Sequence, residues 1–183
     1  MNTEKKNWYS LSFKTSLTAL IFALLVFSLM VITKHHYVRL TADSMLYFSL
    51  AQKYIGADFS NAVNGYWGPL LAWLLVPFLY FGTSDVFAIN TLNLILGIFT
   101  IIGVWRLSYR FEITEMIRSI ILISLIPIVL KFSLVQPMDF LLLCLLVYYL
   151  VIVFGSNYQN RITNGIFCGI LGALAYFSKS YAF

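Results

Sequence analysis

Apolar runs long enough to approach the thickness of a bilayer are the feature that most constrains how this chain can fold. They cover residues 15–33, 86–105, 119–136, 139–155 and 162–182. Because a helix rises about 1.5 Å per residue, runs of this length suit a hydrocarbon core of about 30 Å. Charged residues make up 10% of the chain, whereas soluble domains usually carry roughly 25%. We therefore predict an all-α integral membrane protein with about five transmembrane helices.

The positions of Lys and Arg indicate how these runs are oriented. A sixth apolar run, 69–82, contains Pro77 and is short enough to favour an interfacial helix over a membrane span. If it does not cross, one side of the membrane collects Lys5, Lys6, Lys14, Arg106, Arg110, Arg118 and Arg161. If it crosses, this asymmetry is lost. The positive-inside rule therefore predicts a cytoplasmic N-terminus in a multi-pass protein of the plasma (inner) membrane, with an outer loop at 34–85.

Polar side chains gather on the outer face in this topology. The acids are Asp43, Asp58, Asp85 and Asp139, and Lys131 and Lys179 lie near the outer ends of their helices. Asp43 begins a helical pattern over 43–54, which we predict to be a second interfacial helix. Asp43 and Asp139 each either cap a helix or present a carboxylate at the membrane surface. Lys179 either extends to the interface or contacts a ligand.

Several classes of function and site are disfavoured by the sequence. The net charge of +5 is spread along the chain without a basic patch, so nucleic acid is not an expected partner. Cys144 and Cys168 are predicted to differ in membrane depth by on the order of 10 Å, too far for a disulfide. His35 and His36 are neighbours that diverge by about 100° on a helix, which favours interfacial histidines over metal ligation. We find no HExxH, GxSxG or glycine-rich phosphate motif.

The order of four stretches resembles a known family of membrane enzymes. These stretches are TADSMLYFSLAQKY, GYWGPLLAWLLVPFLYFG, PMDFLLLCLLVYYL and GILGALAYFSK. Together they are similar to the N-terminal half of the GT-C superfamily of polyprenyl-phosphate-sugar glycosyltransferases, of the protein O-mannosyltransferase and lipid A aminoarabinose transferase type. In that family the first outer loop carries a catalytic Asp and two juxtamembrane helices. The resemblance implies that 1–183 is a single transmembrane domain and the N-terminal part of a longer GT-C fold.

The resemblance also implies an activity and a set of site residues. The activity is inverting transfer of a sugar from a polyprenyl phosphate to a hydroxyl of a protein, lipid or glycan acceptor at the outer or luminal face. Asp43 is the implied catalytic residue, and the implied substrate-binding residues are Asp139, Lys179, Tyr47, Trp67 and Arg39. No metal ligand is assigned, and a divalent cation is left open as a cofactor. The alternatives are a non-catalytic protein that binds, transports or assembles lipid carriers, and a truncated inactive remnant.

The chain departs from the family pattern in two places. The family often has Asp-Glu where this sequence has Asp43-Ser44. Related transferases have Glu-Lys before the proline of the second juxtamembrane helix, where this sequence has Trp67-Gly68. Any contact that those family side chains make with a metal or a phosphate is therefore not expected from these two pairs.

Overall fold

The structure, a computed structural model, describes residues 2–33, 41–63, 67–135, 137–156 and 158–179, with side chains from Lys14 onward except at 135–138. Within these residues every regular element is an α-helix. They are α1 (Asn2–Thr33), α2 (Ala42–Ile55), α3 (Phe59–Ala62), α4 (Leu70–Tyr80), α5 (Asp85–Ser108), α6 (Glu115–Val135), α7 (Pro137–Val153) and α8 (Ile162–Ser178). The predicted all-α class is therefore confirmed for the described part of the chain.

Three helices are long and apolar enough to cross a membrane, which supports a membrane protein. They are the part of α1 from Lys14 to Thr33, the whole of α5, and α6 from Glu115 to Leu134. The other two predicted spans form the shorter apolar helices α7 and α8, each of 17 residues, or about 25 Å of helix. We expected the last span to reach residue 182, but α8 ends at Ser178 because Lys179 adopts an extended conformation. Residues 180–183 lie outside the described part.

The long helices pack as an up-and-down bundle. Ser16 of α1 lies 2.9 Å from the Tyr109 hydroxyl just beyond α5, so these two helices run in opposite directions. The Asn93 side-chain amide donates to the Ser133 carbonyl at 2.6 Å and joins α5 to α6. The Tyr148 hydroxyl of α7 donates to the Phe99 carbonyl of α5 at 3.0 Å. Buried Leu, Ile, Val and Phe side chains fill the space between these helices.

The buried side chain of Arg118 joins two helices at one end of this bundle. The Arg118 guanidinium donates to the Ser108 hydroxyl at 2.8 Å and pairs with the Glu115 carboxylate. It also lies 3.7 Å from the centroid of the Tyr109 ring. A buried charge is tolerated where it is paired and hydrogen-bonded, and here one cation joins α6 to the end of α5. We call this the N-terminal end, because Lys14 and Ser16 of α1 lie at it.

The opposite, or distal, end carries the short helices. Here α1 ends, α5 begins, and α7 begins beside the last residues of α8. Both predicted interfacial helices are present as helices, α2 and α4, and they pack against each other. A further short helix, α3, lies between them and was not predicted from the sequence. Helix α4 also contacts α5 and α8, so the loop that contains α2–α4 rests on the distal end of the bundle.

Gly97 provides a test of the packing between α1 and α5. A Cβ atom at Gly97 would overlap the ring of Phe27, which is fully buried. Overpacking a core typically costs about 1–3 kcal/mol, so Gly97→Ala should lower the melting temperature of the detergent-purified protein by several degrees. Gly169→Ala is the matched control, because a Cβ there would have open space. Equal melting temperatures for the two variants would contradict this packing.

Candidate functional site

Asp43 does not cap α2, so the capping interpretation of this residue is wrong. The N-cap is Thr41, whose hydroxyl oxygen accepts from the Ser44 amide at 3.2 Å. Thr41 lies three residues before Ser44, which is the reach of a side-chain cap, whereas Asp43 already lies inside the first turn. Asp43 remains exposed, and among the described residues its carboxylate has no hydrogen-bond or ion-pair partner. An acid here also interacts favourably with the positive end of the helix dipole.

Asp58, the other acid of the loop, has a structural role. Its carboxylate accepts from the Asn61 side-chain amide at 2.9 and 3.0 Å and from the Ser60 hydroxyl at 3.2 Å. The hydrogen bond from Asn61 is the main cause that lowers the pKa of Asp58 below its ordinary value. Hydrogen bonds to a carboxylate favour its ionised form, and they occupy its oxygens. Asp58 is thus committed to the turn before α3, unlike Asp43.

Tyr47 and Trp67 connect α2 to the segment that leads into α4. Tyr47 lies one helical turn after Asp43 on the same face of α2, and it is 1% exposed. Its ring meets the Trp67 ring edge-on, with centroids 5.6 Å apart. Trp67 is half-buried. The buried Tyr47 therefore orients Trp67, and Trp67 is the ring of the two that remains partly accessible.

Gly68 brings this aromatic pair against the end of α8. A Cβ atom at Gly68 would overlap the backbone carbonyl oxygens of Phe177 and Ser178. Only a residue without a side chain allows so close an approach of two backbones. The contact at Gly68 was not predicted from the sequence, although the Gly-Pro pair that it forms with Pro69 is a recognised turn signal. Trp67 therefore directly precedes the residue that contacts the last two residues of α8, and Lys179 directly follows them.

Asp139 and Lys179 form an ion pair, which the sequence did not predict. The Lys179 ammonium pairs with one Asp139 carboxylate oxygen and so joins the first turn of α7 to the residue after α8. The side chains are 16% exposed for Lys179 and 34% exposed for Asp139. Next to the pair, Ser178 is buried, and among the described residues its hydroxyl has no hydrogen-bond partner. The pair is therefore half-buried, and the Asp139 carboxylate is the more exposed of its two side chains.

We call Asp43, Tyr47, Trp67, Asp139 and Lys179 the distal cluster. These residues come from α2, the segment before α4, α7 and the residue after α8, all at the distal end of the bundle. Arg39, the remaining predicted substrate-binding residue, lies outside the described residues, as do His35 and His36. Within the described part of the chain, no three His, Cys, Asp or Glu side chains lie close enough to hold a metal ion.

A separate cavity of about 510 Å³ lies between α1 and α5 near the distal end. Its walls are mainly apolar and its polar members are hydroxyl and amide groups; it is lined by Val31, Ile32, Ser84, Val86, Phe87, Asn90, Thr91 and Leu94. No member of the distal cluster lines it. The cavity and the cluster are thus distinct features of the same end.

Comparison with known proteins gives this chain no relative: no family model, curated protein or solved structure matches it. The resemblance to the GT-C transferases therefore stays a prediction, based on the order of the motifs along the chain.

The coupling between Asp139 and Lys179 can be measured with a double-mutant cycle. Asp139→Asn and Lys179→Met each leave one partner without its counter-charge, so each should lower the melting temperature. The double variant should lose less than the sum of the two, by about 0.2–1 kcal/mol, as for partly exposed ion pairs. Lys131→Met is the control, because Lys131 is exposed and has no ion pair among the described residues. Strictly additive effects would show that the two charges do not interact.

Proposed function

We propose that this chain is a membrane glycosyltransferase, or the donor-binding part of one, that transfers a sugar from a polyprenyl phosphate to an acceptor hydroxyl. The observation that carries the proposal is the distal cluster, which places at one end of the bundle a carboxylate without a partner among the described residues, a half-buried aromatic ring and a lysine. A lipid-linked sugar presents its phosphate at the membrane surface while its tail stays in the bilayer. A polar site beside apolar helices at that depth suits such a substrate.

Asp43 is the proposed general base. It would accept the proton of the acceptor hydroxyl as that oxygen attacks the anomeric carbon of the sugar. The bond from this carbon to the phosphate oxygen breaks on the opposite side, through an oxocarbenium-like transition state, and polyprenyl phosphate leaves. Attack opposite the leaving group inverts the anomeric configuration. The Asp43 carboxylate suits this role, because it is neither a helix cap nor part of the turn around Asp58 and has no partner among the described residues.

Lys179 is the proposed contact for the donor phosphate. A cation there would stabilise the charge that develops on the leaving phosphate. In the structure the Lys179 ammonium is paired with the Asp139 carboxylate. A donor phosphate would therefore compete with that carboxylate for the same ammonium group. Asp139 would hold Lys179 in place before the donor arrives and would return to it after the lipid phosphate leaves. Trp67, oriented by Tyr47, would line the donor, and Arg39 would add a second cation.

We propose that the chain crosses the cytoplasmic membrane five times and that the distal end lies at its outer face. In this arrangement α7 and α8 cross together with α1, α5 and α6, while α2 and α4 lie along the outer surface. The distribution of Lys and Arg supports this sidedness. Helices α7 and α8 are about 25 Å long, somewhat shorter than the hydrocarbon core, and a bilayer accommodates such a span by thinning locally.

Thiol labelling in intact cells tests this topology. After Cys144 and Cys168 have been replaced by Ala, Asp58→Cys and Ser84→Cys should react with a membrane-impermeant maleimide added outside. Glu112→Cys should react only after the membrane is opened. Ser84 and Glu112 are exposed and Asp58 is half-buried in the structure, so a difference in labelling between Ser84→Cys and Glu112→Cys reports the side of the membrane. Protection of Ser84→Cys together with labelling of Glu112→Cys would mean that 69–82 crosses the membrane.

Substitutions of Asp43 test its role in transfer. Because Thr41 caps α2, both Asp43→Asn and Asp43→Ala should fold, with a loss of stability limited to about 0.3–1 kcal/mol from the helix dipole. Both should reduce sugar transfer about 10²–10⁴-fold, the usual contribution of a general base. Thr41→Ala is the matched control: it should cost about 1 kcal/mol of stability yet keep most of the activity. Normal transfer from a folded Asp43→Asn protein would exclude Asp43 as the base.

Donor binding separates the enzyme from the alternative of a non-catalytic carrier-binding protein. The Asp43→Asn protein should still bind a polyprenyl-phosphate sugar, and Lys179→Met should weaken that binding. Transfer by the unmodified protein would exclude the carrier-binding alternative, whereas binding without transfer would fit both that alternative and the donor-binding part of a longer transferase.

A further inference from the structure

A groove at the N-terminal end of the bundle is charged and polar at one end and apolar along the rest of its length, as a phospholipid is. It has a volume of about 550 Å³ and lies between α1 and α6, lined by Lys14, Thr15, Thr18, Ala19, Phe22, Ser119 and Ile123. Its polar members come first along both helices and its apolar members follow. From Lys14 to Phe22 the groove descends eight residues of α1, or about 12 Å. It therefore changes from charged to hydrocarbon-like over a depth that a headgroup and the start of an acyl chain would occupy.

Lys14 gives this groove a positive charge that no carboxylate among the described residues neutralises. Its side chain is exposed, and among the described residues no carboxylate pairs with it. Glu115, the acid in the first turn of α6, pairs with Arg118. An anion at the mouth of the groove would therefore meet an ammonium group whose charge is available.

The hydroxyl groups of the groove are available as acceptors. The Thr18 hydroxyl donates its hydrogen to the Lys14 carbonyl at 2.8 Å. The Ser119 hydroxyl donates its hydrogen to the Glu115 carbonyl, also at 2.8 Å. Each hydroxyl has one hydrogen, so what remains at both oxygens is lone pairs. They can accept from hydroxyl groups of a ligand, whereas a phosphate oxygen would find its donor in Lys14.

The apolar part of the groove is exposed where a lipid chain would lie. Phe22 is 52% exposed. Ile123, one helical turn after Ser119 on α6, is 48% exposed. An acyl chain along these two side chains would continue in the direction of the helices, parallel to the other lipid chains.

We propose that this groove is a binding site for an anionic phospholipid with a hydroxylated headgroup. The lipid phosphate pairs with Lys14, headgroup hydroxyls donate to the Thr18 and Ser119 oxygens, and one acyl chain lies along Phe22 and Ile123. Basic pockets between membrane helices bind anionic lipids through the same combination of charge and apolar area. The site is at the opposite end from the distal cluster and does not depend on the proposed transferase activity.

The test titrates lipids into the detergent-purified full chain and follows the melting temperature. Phosphatidylglycerol is the probe, because it carries one phosphate negative charge and two glycerol hydroxyls. At about ten times its dissociation constant it should raise the melting temperature by roughly 3–6 °C. Phosphatidylcholine should raise it much less, and phosphatidic acid, which lacks the headgroup hydroxyls, should bind more weakly than phosphatidylglycerol. Inorganic phosphate should have no comparable effect, because it lacks the acyl chain.

Lys14→Gln should lower the affinity for phosphatidylglycerol about fivefold, the effect of removing one lysine contact to an anionic lipid. Lys131→Gln is the matched control: it removes one exposed lysine from α6 away from this groove and should leave the affinity unchanged. Lys14 is exposed, so its replacement should not impair folding. Equal affinities for Lys14→Gln and the unmodified protein, or equal shifts with phosphatidylglycerol, phosphatidic acid and phosphatidylcholine, would overturn the proposal.

Discussion

The close approach of Gly68 to the end of α8 is the contact on which the arrangement of the distal end depends. The backbone at Gly68 lies against the carbonyls of Phe177 and Ser178, where any side chain would overlap them. This contact brings the loop that contains α2–α4 onto the bundle. Trp67 is held on one side of it and Lys179 lies just beyond it on the other. Together with the packing of α4 on α5, it sets the position of Tyr47 and Asp43 on α2 relative to the lysine.

The charged residues of the distal cluster differ in whether they form an ion pair. Asp139 and Lys179 form a half-buried pair, while Asp43 stays exposed and unpaired among the described residues. A half-buried lysine without a partner would be costly, and Asp139 provides that partner. The N-terminal end differs, because Arg118 is buried and bound to Glu115, Ser108 and Tyr109 together. These contacts give Arg118 a structural role, whereas we propose that the more exposed Lys179 exchanges Asp139 for the donor phosphate.

The sequence predicted the helices well because their signals are local. Apolar length located the long helices, and helical periodicity together with Pro77 located α2 and α4. Of the two interpretations of Asp43, capping of α2 is wrong, since Thr41 and Asp43 are both good capping types two positions apart and the sequence does not show where the helix begins. The Asp139–Lys179 pair was not predicted, because its members lie 40 residues apart and no periodic pattern links them. Gly68 was overlooked for a similar reason: its neighbour belongs to α8, far along the chain.

Photocrosslinking of a lipid substrate tests most directly the central claim that the loop and the end of α8 form one donor site. A short polyprenyl-phosphate sugar with a photoreactive group on its first isoprene unit would be bound to the full chain and irradiated, and the adducts mapped by mass spectrometry. We expect adducts both in peptides from 41–47 or 67–74 and in peptides from 174–179. Unlabelled polyprenyl phosphate should suppress both sets together. Adducts confined to other parts of the chain, or adducts that polyprenyl phosphate does not suppress, would contradict the claim.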